Sequence, residues 1–357
     1  MRFNYFLTTF LPRKDYGGDR LYGEVIEQAV RADALGFDAV SIPEHHLINL
    51  LIVPSPLQMA VKVATLTQNV DLVISIAVLP VRDMRILAGE VVQADILCNQ
   101  RLTLGVGRGA FASELSRLDV PLAETRERFS ESLAVLEALL EREQVSWAGK
   151  YYNFDDVTVM PRPVRRVPIM VAVVNPEAIY QSAKNGYDIQ TTPLNASHTV
   201  LLEQVNAFKR GKAEARRVGP PQKISLQRVI YLARDAADVE RVGRTIYDYY
   251  KRFDNAYTGP GLIESGMMAA LPRKQSFEEM MQNLLICTRS EMIDKLGTYA
   301  NAGIDEVIIS AGFGFPQSEM LAMMERFADE IMPHFASQRN SRAAEQAVHA
   351  LRAPSST

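Results

Sequence analysis

The chain has 357 residues, 47% of them hydrophobic and 23% charged, with a net charge of −3 at pH 7. That length can bury the core of one large domain or two ordinary ones. The balance of charge offers no excess for nucleic acid or an anionic membrane, no apolar run is long enough to span a bilayer, and two cysteines make neither a disulfide framework nor a zinc site.

Taken in chain order, strand-type runs alternate with stretches of helical period. Strands are expected at 3–9, 37–42, 71–79, 101–107, 168–174, 187–192, 224–233 and 306–312. Helices are expected at about 21–35, 56–67, 84–99, 124–143, 176–184, 198–218, 236–250, 290–302 and 317–335. Eight strand–helix units point to a closed (β/α)8 barrel, a TIM barrel with insertions, and a doubly wound open sheet is the alternative. One domain is expected over 1–336, interrupted by a hairpin and Pro/Arg loop at about 145–168 and by a long segment at about 251–288. A loop as long as the second reads as a lid. Residues 337–357 read as a polar C-terminal tail that frays.

In a parallel barrel the chemistry gathers at the carboxyl ends of the strands. Three stretches stand there: "EHH" (Glu44, His45, His46) after strand two, "GVGRGAF" closing strand four, and "VVNPEAI" after strand five. Gly105, Gly107 and Gly109 are expected to let a ligand approach the backbone, and Arg108 offers a planar charged fork for phosphate. Asn175 reads as a helix cap with Pro176 in the first turn, so the amides of that helix start form an anion site that Arg108 can share. Together these features imply a phosphate-bearing ligand. The histidine pair has three readings: metal-binding, catalytic or structural. Metal-dependent barrels need several His and carboxylate ligands on different strand ends, which His198, His334 and His349 do not supply, so no metal is expected. A Schiff-base barrel needs a lysine at a strand's carboxyl end, and none sits there.

"MRFNYFLTTF", "GFDAVSIPEHH", "ISIAVLP", "QRLTLGVGRGAF", "PIMVAVVNPEAI" and "AGIDEVII" together resemble the bacterial luciferase-like family of flavin-dependent monooxygenases over nearly the whole chain. The resemblance implies a barrel that binds reduced flavin mononucleotide (FMN) delivered by a separate flavin reductase. It implies that O2 adds to the flavin as a 4a-peroxide, which oxidises a medium-sized organic substrate, often a carbonyl compound. Carried over by position, His45 matches the catalytic histidine. Arg108 and the backbone of Gly107, Gly109 and Ala110 match one half of a phosphate clamp, and Val173, Val174 and Asn175 match the other. The resemblance also implies a non-proline cis peptide between Ser75 and Ile76, beside the flavin ring.

His46 is expected to orient its loop or line the substrate pocket with Phe6, Phe111 and Thr192, with Thr8, Thr191, Tyr257 and Met267 as further candidates. Glu44 is expected to hold one imidazole in a useful tautomer. The chain departs from the family pattern at Asp83, where a histidine is common, at Val173 and Val174, where small hydroxyl residues are frequent, and at Cys287, where glycine is usual. Two other functions stay open: a deazaflavin-dependent hydride-transfer enzyme, and a non-catalytic flavin-binding subunit of a heteromer. The expected setting is cytoplasmic, with no nucleic acid or membrane partner. A homodimer is expected through the helix at 84–99, whose apolar residues, Leu87 and Val92 among them, spread round most of its circumference. The alternative is that neighbouring helices and the hairpin cover that face.

Overall fold

The computed structural model describes residues 1–193, 198–215, 221–257 and 261–336. Eight parallel strands form a ring: β1 (Arg2–Phe6), β2 (Ala39–Ile42), β3 (Asp71–Val78), β4 (Leu102–Gly107), β5 (Ile169–Ala172), β6 (Asp188–Thr191), β7 (Ile224–Leu232) and β8 (Glu306–Ser310). Pairing runs round the ring in chain order, and β8 returns to β1 with Asn4 opposite Ile308. Closure excludes the open sheet. These strands are buried on both sides, which is why they read in the sequence as nearly continuous apolar runs.

The helices are α1 (Gly18–Ala34), α2 (Pro56–Ala64), α3 (Met84–Leu97), α4 (Ala112–Leu115), α5 (Thr125–Glu141), α6 (Pro176–Lys184), α7 (His198–Ala213), α8 (Ala236–Tyr257), α9 (Phe277–Met281), α10 (Arg289–Ala302) and α11 (Gln317–Glu330). In α1 the buried residues Leu21, Val25, Gln28, Ala29 and Ala32 recur at helical spacing, so one stripe faces the strands. Part of the helix expected at 198–218 and the tail at 337–357 lie outside the described residues.

Polar residues close the amino-terminal end of the barrel. Glu306 accepts from Asn4 Nδ2 at 3.2 Å and Ser225 Oγ at 3.1 Å, with Arg2 Nε at 3.4 Å. Burial pushes Glu306 above the usual carboxylate range, against the pull of Arg2.

The first interruption is an antiparallel hairpin, Val145–Ala148 with Asn153–Val157. The second differs from expectation at both ends. Helix α8 continues past residue 250 to Tyr257, because residues 251–257 contain no glycine or proline and the Gly-Pro-Gly punctuation begins only at 259. A further strand, Leu285–Cys287, pairs in parallel with the last three residues of β7, and Cys287 is buried within it. That partner accounts for the length of β7, which outlasts its barrel neighbours.

The apolar circumference of α3 is mostly internal, contrary to the expectation of an exposed second face. Leu87 and Val92 are each 1% exposed, because α3 packs against α2 and α5 as well as the strands. What remains outside is narrower: Ile86 at 64%, Ile96 at 39% and Leu97 at 50% exposed, with Met160, near Gly89, at 72%. Val92→Asp should therefore unfold the protein rather than split a dimer, costing roughly 4 kcal/mol or more as an unpaired buried charge. Ile86→Glu lies in the exposed first turn of α3, where an acid suits the helix dipole, and should stay within about 0.5 kcal/mol of the parent. Chemical denaturation of both variants checks the contrast, and equal losses would refute it.

Candidate active site

Alternation along the strands turns Phe6, Ser41, Ser75, Gly105, Gly107, Ala172, Gln190, Gln227 and Ser310 towards the lumen near its carboxyl-terminal mouth. Three hydrogen bonds cross this layer. Ser75 Oγ donates to Gln190 Oε1 at 2.9 Å, Gln190 Nε2 donates to Gln227 Oε1 at 3.1 Å, and Gln227 Nε2 donates to Ser310 Oγ at 3.1 Å. The belt joins β3, β6, β7 and β8 and makes a polar floor beneath the mouth. Each amide still has one N–H beyond the belt. Ser41 Oγ, also buried, has no hydrogen-bond partner among the described residues. The Ser75–Ile76 peptide is cis, as the resemblance implied.

The glycines of β4 do something other than expected. A Cβ on Gly105 would stand 2.1 Å from the Ile74 carbonyl oxygen, and one on Gly107 would stand 2.1 Å from Ile76 Cδ1. Both therefore admit the irregular part of β3, where the register shifts between Ile74 and Ala77, rather than a ligand. Gly109 has φ +78°, so it serves the turn that leads out to α4.

The two histidines are held by different acids. Glu44, 2% exposed, has His46 Nε2 at 2.8 Å and accepts from Arg82 Nε at 2.9 Å and from the Val78 amide at 3.0 Å. It ties the loop after β2 to the end of β3. His45 turns the other way. Its Nδ1 lies 2.8 Å from Glu114 Oε2, and the ring stacks on Phe111 at 4.2 Å with an interplanar angle of 16°. The His46 amide donates to Glu114 Oε1 at 2.5 Å. Phe111 meets α8 edge-on through Phe253 at 5.3 Å and Tyr257 at 5.2 Å, so an aromatic wall from the end of α8 stands beside His45.

Arg108 is exposed at the mouth and donates from Nη1 to Thr125 Oγ1 at 3.1 Å. After the neighbouring strand β5, Asn175 caps α6 by accepting from the Ala178 amide at 3.1 Å. One member of the expected clamp is excluded. The Val173 amide donates to Gln190 O at 2.9 Å within the sheet, which leaves Val174 and Asn175 as the donors of that loop. Asp83 has a structural role. It caps α3 and pairs with Arg85, whose hydrogen bonds hold its carboxyl below the usual range. Phe6 is buried in the inner wall, Thr191 is buried outside it, and the Thr192 carbonyl accepts from Gln204.

Sequence reading missed Glu114, Arg82, Gln190 and Gln227. The two glutamines carried a signal, since each is a lone amide at an inward position of an apolar strand. Glu114 carried none, because its partner lies 69 residues away.

The family described as "Luciferase-like monooxygenase" matches residues 1–306. The oxygenase component of a flavin-dependent trigonelline monooxygenase from Acinetobacter baylyi is 27% identical over 354 residues, covering 96% of this chain and 98% of its own. An F420-dependent glucose-6-phosphate dehydrogenase from Beutenbergia cavernae is 24% identical, covering 87% and 92%. Among solved structures, monooxygenase RslO1 from Streptomyces bottropensis superposes with a TM-score of 0.80 at 22% identity, covering 94% and 100%. The oxygenating constituent of 3,6-diketocamphane monooxygenase from Pseudomonas putida, in complex with FMN, gives 0.76 at 16% identity, covering 94% and 98%.

Glu44 generates a prediction independent of any ligand. Removing one partner of a buried charged cluster leaves the others unpaired, so Glu44→Ala should cost about 3–5 kcal/mol. Glu44→Gln, which can still accept from Val78, should cost less. Urea unfolding of both variants measures this, and a Glu44→Ala loss below about 1 kcal/mol would rule out the hub.

Proposed function

The chain belongs to the luciferase-like monooxygenase family, and from that premise we propose that it is the oxygenase component of a two-component enzyme. In this reading it takes reduced FMN from a separate flavin reductase and uses O2 to oxidise a medium-sized, largely apolar organic molecule, with carbonyl compounds and flat heteroaromatics as the leading classes. The observation that carries the reading is one imidazole, His45, held after β2 between the Glu114 carboxylate and the ring of Phe111, which packs on the aromatic end of α8.

The residues present suit a flavin nucleotide. Arg108 and the amides of Val174 and Asn175 at the start of α6 would hold its phosphate. Ser75, Gln190 and Gln227 offer donors and acceptors for the polar edge of a flat ring, beside Ile76. When bound and reduced, the flavin supplies the electrons that activate O2. The protein's own part is to bind, to exclude water beneath α8, and to hold or accept a proton at His45. His46 is already engaged by Glu44, so its role is to fix the loop. The aromatic wall of Phe111, Phe253 and Tyr257 favours a flat or cationic substrate. The narrow exposed face of Ile86, Leu97 and Met160 is the proposed contact with a second copy; Ile86→Glu should then sediment as a monomer if the parent is a dimer.

The direct test is oxygen uptake with reduced FMN against aldehydes, ketones and N-methylated pyridine acids, with reduced F420 in parallel. Substrate-dependent uptake with oxygenated product supports the reading. Hydride transfer from F420 without oxygen consumption would replace it with the deazaflavin alternative.

Two variants sharpen the assignment. His45→Ala should lower turnover by about 100-fold or more while leaving FMN affinity nearly intact, as the loss of a proton-transfer group requires. Unchanged turnover would remove His45 from the reaction. Arg108→Ala should weaken FMN far more than riboflavin, which lacks the phosphate; equal losses in a fluorescence titration would put the clamp elsewhere.

A further inference from the structure

We propose that Glu114 is the positioning residue that sets the tautomer and orientation of His45. This rests on the reading of His45 as the group that handles the proton.

The argument begins with cost. Glu114 is 4% exposed, and its carboxylate's only hydrogen-bond partners among the described residues are His45 and the His46 amide. A buried carboxylate without a cation is expensive to keep. Glu44, one residue before His45, meets the same demand with Arg82. Glu114 meets it by spending both oxygens on the histidine pair, one on a ring nitrogen and one on the backbone that carries the next residue.

The geometry then fixes the proton. A carboxylate only accepts, so the hydrogen of this pair sits on Nδ1 of His45. That leaves Nε2 as the nitrogen available to a ligand, able to accept a proton and later return it. The ring is fixed a second way: Phe111, three residues before Glu114, covers one face of the imidazole. One short turn of chain thus supplies both the edge contact and the face contact. Helix α4 is itself pinned to the lid helix, because Ser113 Oγ donates to the Ala256 carbonyl at 3.1 Å. The seat of α8 and the direction of His45 are therefore mechanically joined.

The experiment uses the full chain labelled with 15N in its five histidines, followed by long-range proton–nitrogen correlation. The His45 signals are identified by their loss in His45→Gln. In the parent, His45 should show the Nδ1–H tautomer. In Glu114→Leu it should move to the Nε2–H form or a mixture, and Glu114→Gln, which keeps an acceptor, should restore the parent pattern in part. Turnover should fall by about 10-fold or more in Glu114→Leu, because an imidazole in the wrong tautomer presents the wrong nitrogen. The KM for flavin should stay within about twofold, since no contact to the phosphate is lost. An unchanged His45 tautomer in Glu114→Leu overturns the proposal. If that variant does not fold, an unchanged His45 tautomer in Glu114→Met, which likewise removes the acceptor while filling the space, overturns it instead. The tautomer is read without flavin or substrate, so a wrong functional reading would leave this result standing.

Discussion

A carboxylate removed from water must be given partners, and the mouth of this barrel is organised by how Glu44 meets that demand. Its oxygens gather the end of β3 through the Val78 amide, the start of the next loop through Arg82, and the ring of His46. The loop after β2 would otherwise be an irregular stretch with its own polar groups to satisfy. Tied in this way it becomes part of the scaffold, and His45 projects from a fixed base. A site on a loop is as accurate as its supports, and here the supports are internal to the fold.

The same economy shapes the wall beside it. Gly105 and Gly107 lack side chains where the irregular part of β3 crosses, so β3 and β4 approach without a gap. Glycine-rich stretches at strand ends invite a reading of bare backbone offered to a ligand. In this chain the missing side chains make room for protein, and the polarity of the lumen near the mouth comes from the amide belt instead. The belt also holds strands from opposite sides of the lumen together, since Ser75 and Gln190 belong to β3 and β6.

Much of this was legible in the sequence, and the reason is physical. Parallel strands buried on both faces must be apolar along their whole length, so eight such runs with helical period between them leave few architectures. Asn175 and Pro176 marked the start of α6 because capping is a local transaction between neighbours. What failed was what depends on distant partners. The strand Leu285–Cys287 is too short to declare itself and is defined by its pairing with the last three residues of β7. Leu87 and Val92 were misjudged because a helix's composition tells how much apolar surface it has, not which neighbour covers it. Glu114 looked like any acid in a surface turn until folding brought α4 against the loop after β2.

The two adjacent histidines show how position can divide one residue type between two tasks. Successive side chains on an extended loop point in opposite directions, so His45 and His46 cannot share one environment. His46 turns inward to a carboxylate that an arginine already neutralises, where its nitrogen is consumed by structure. His45 turns to a carboxylate that has no arginine or lysine partner among the described residues, against an aromatic ring that packs on the end of α8. The first arrangement is self-contained. The second has one ring nitrogen without a partner among the described residues and is joined through Phe111 to the end of α8, which is the arrangement the proposed proton-handling role needs: held at one end and available at the other.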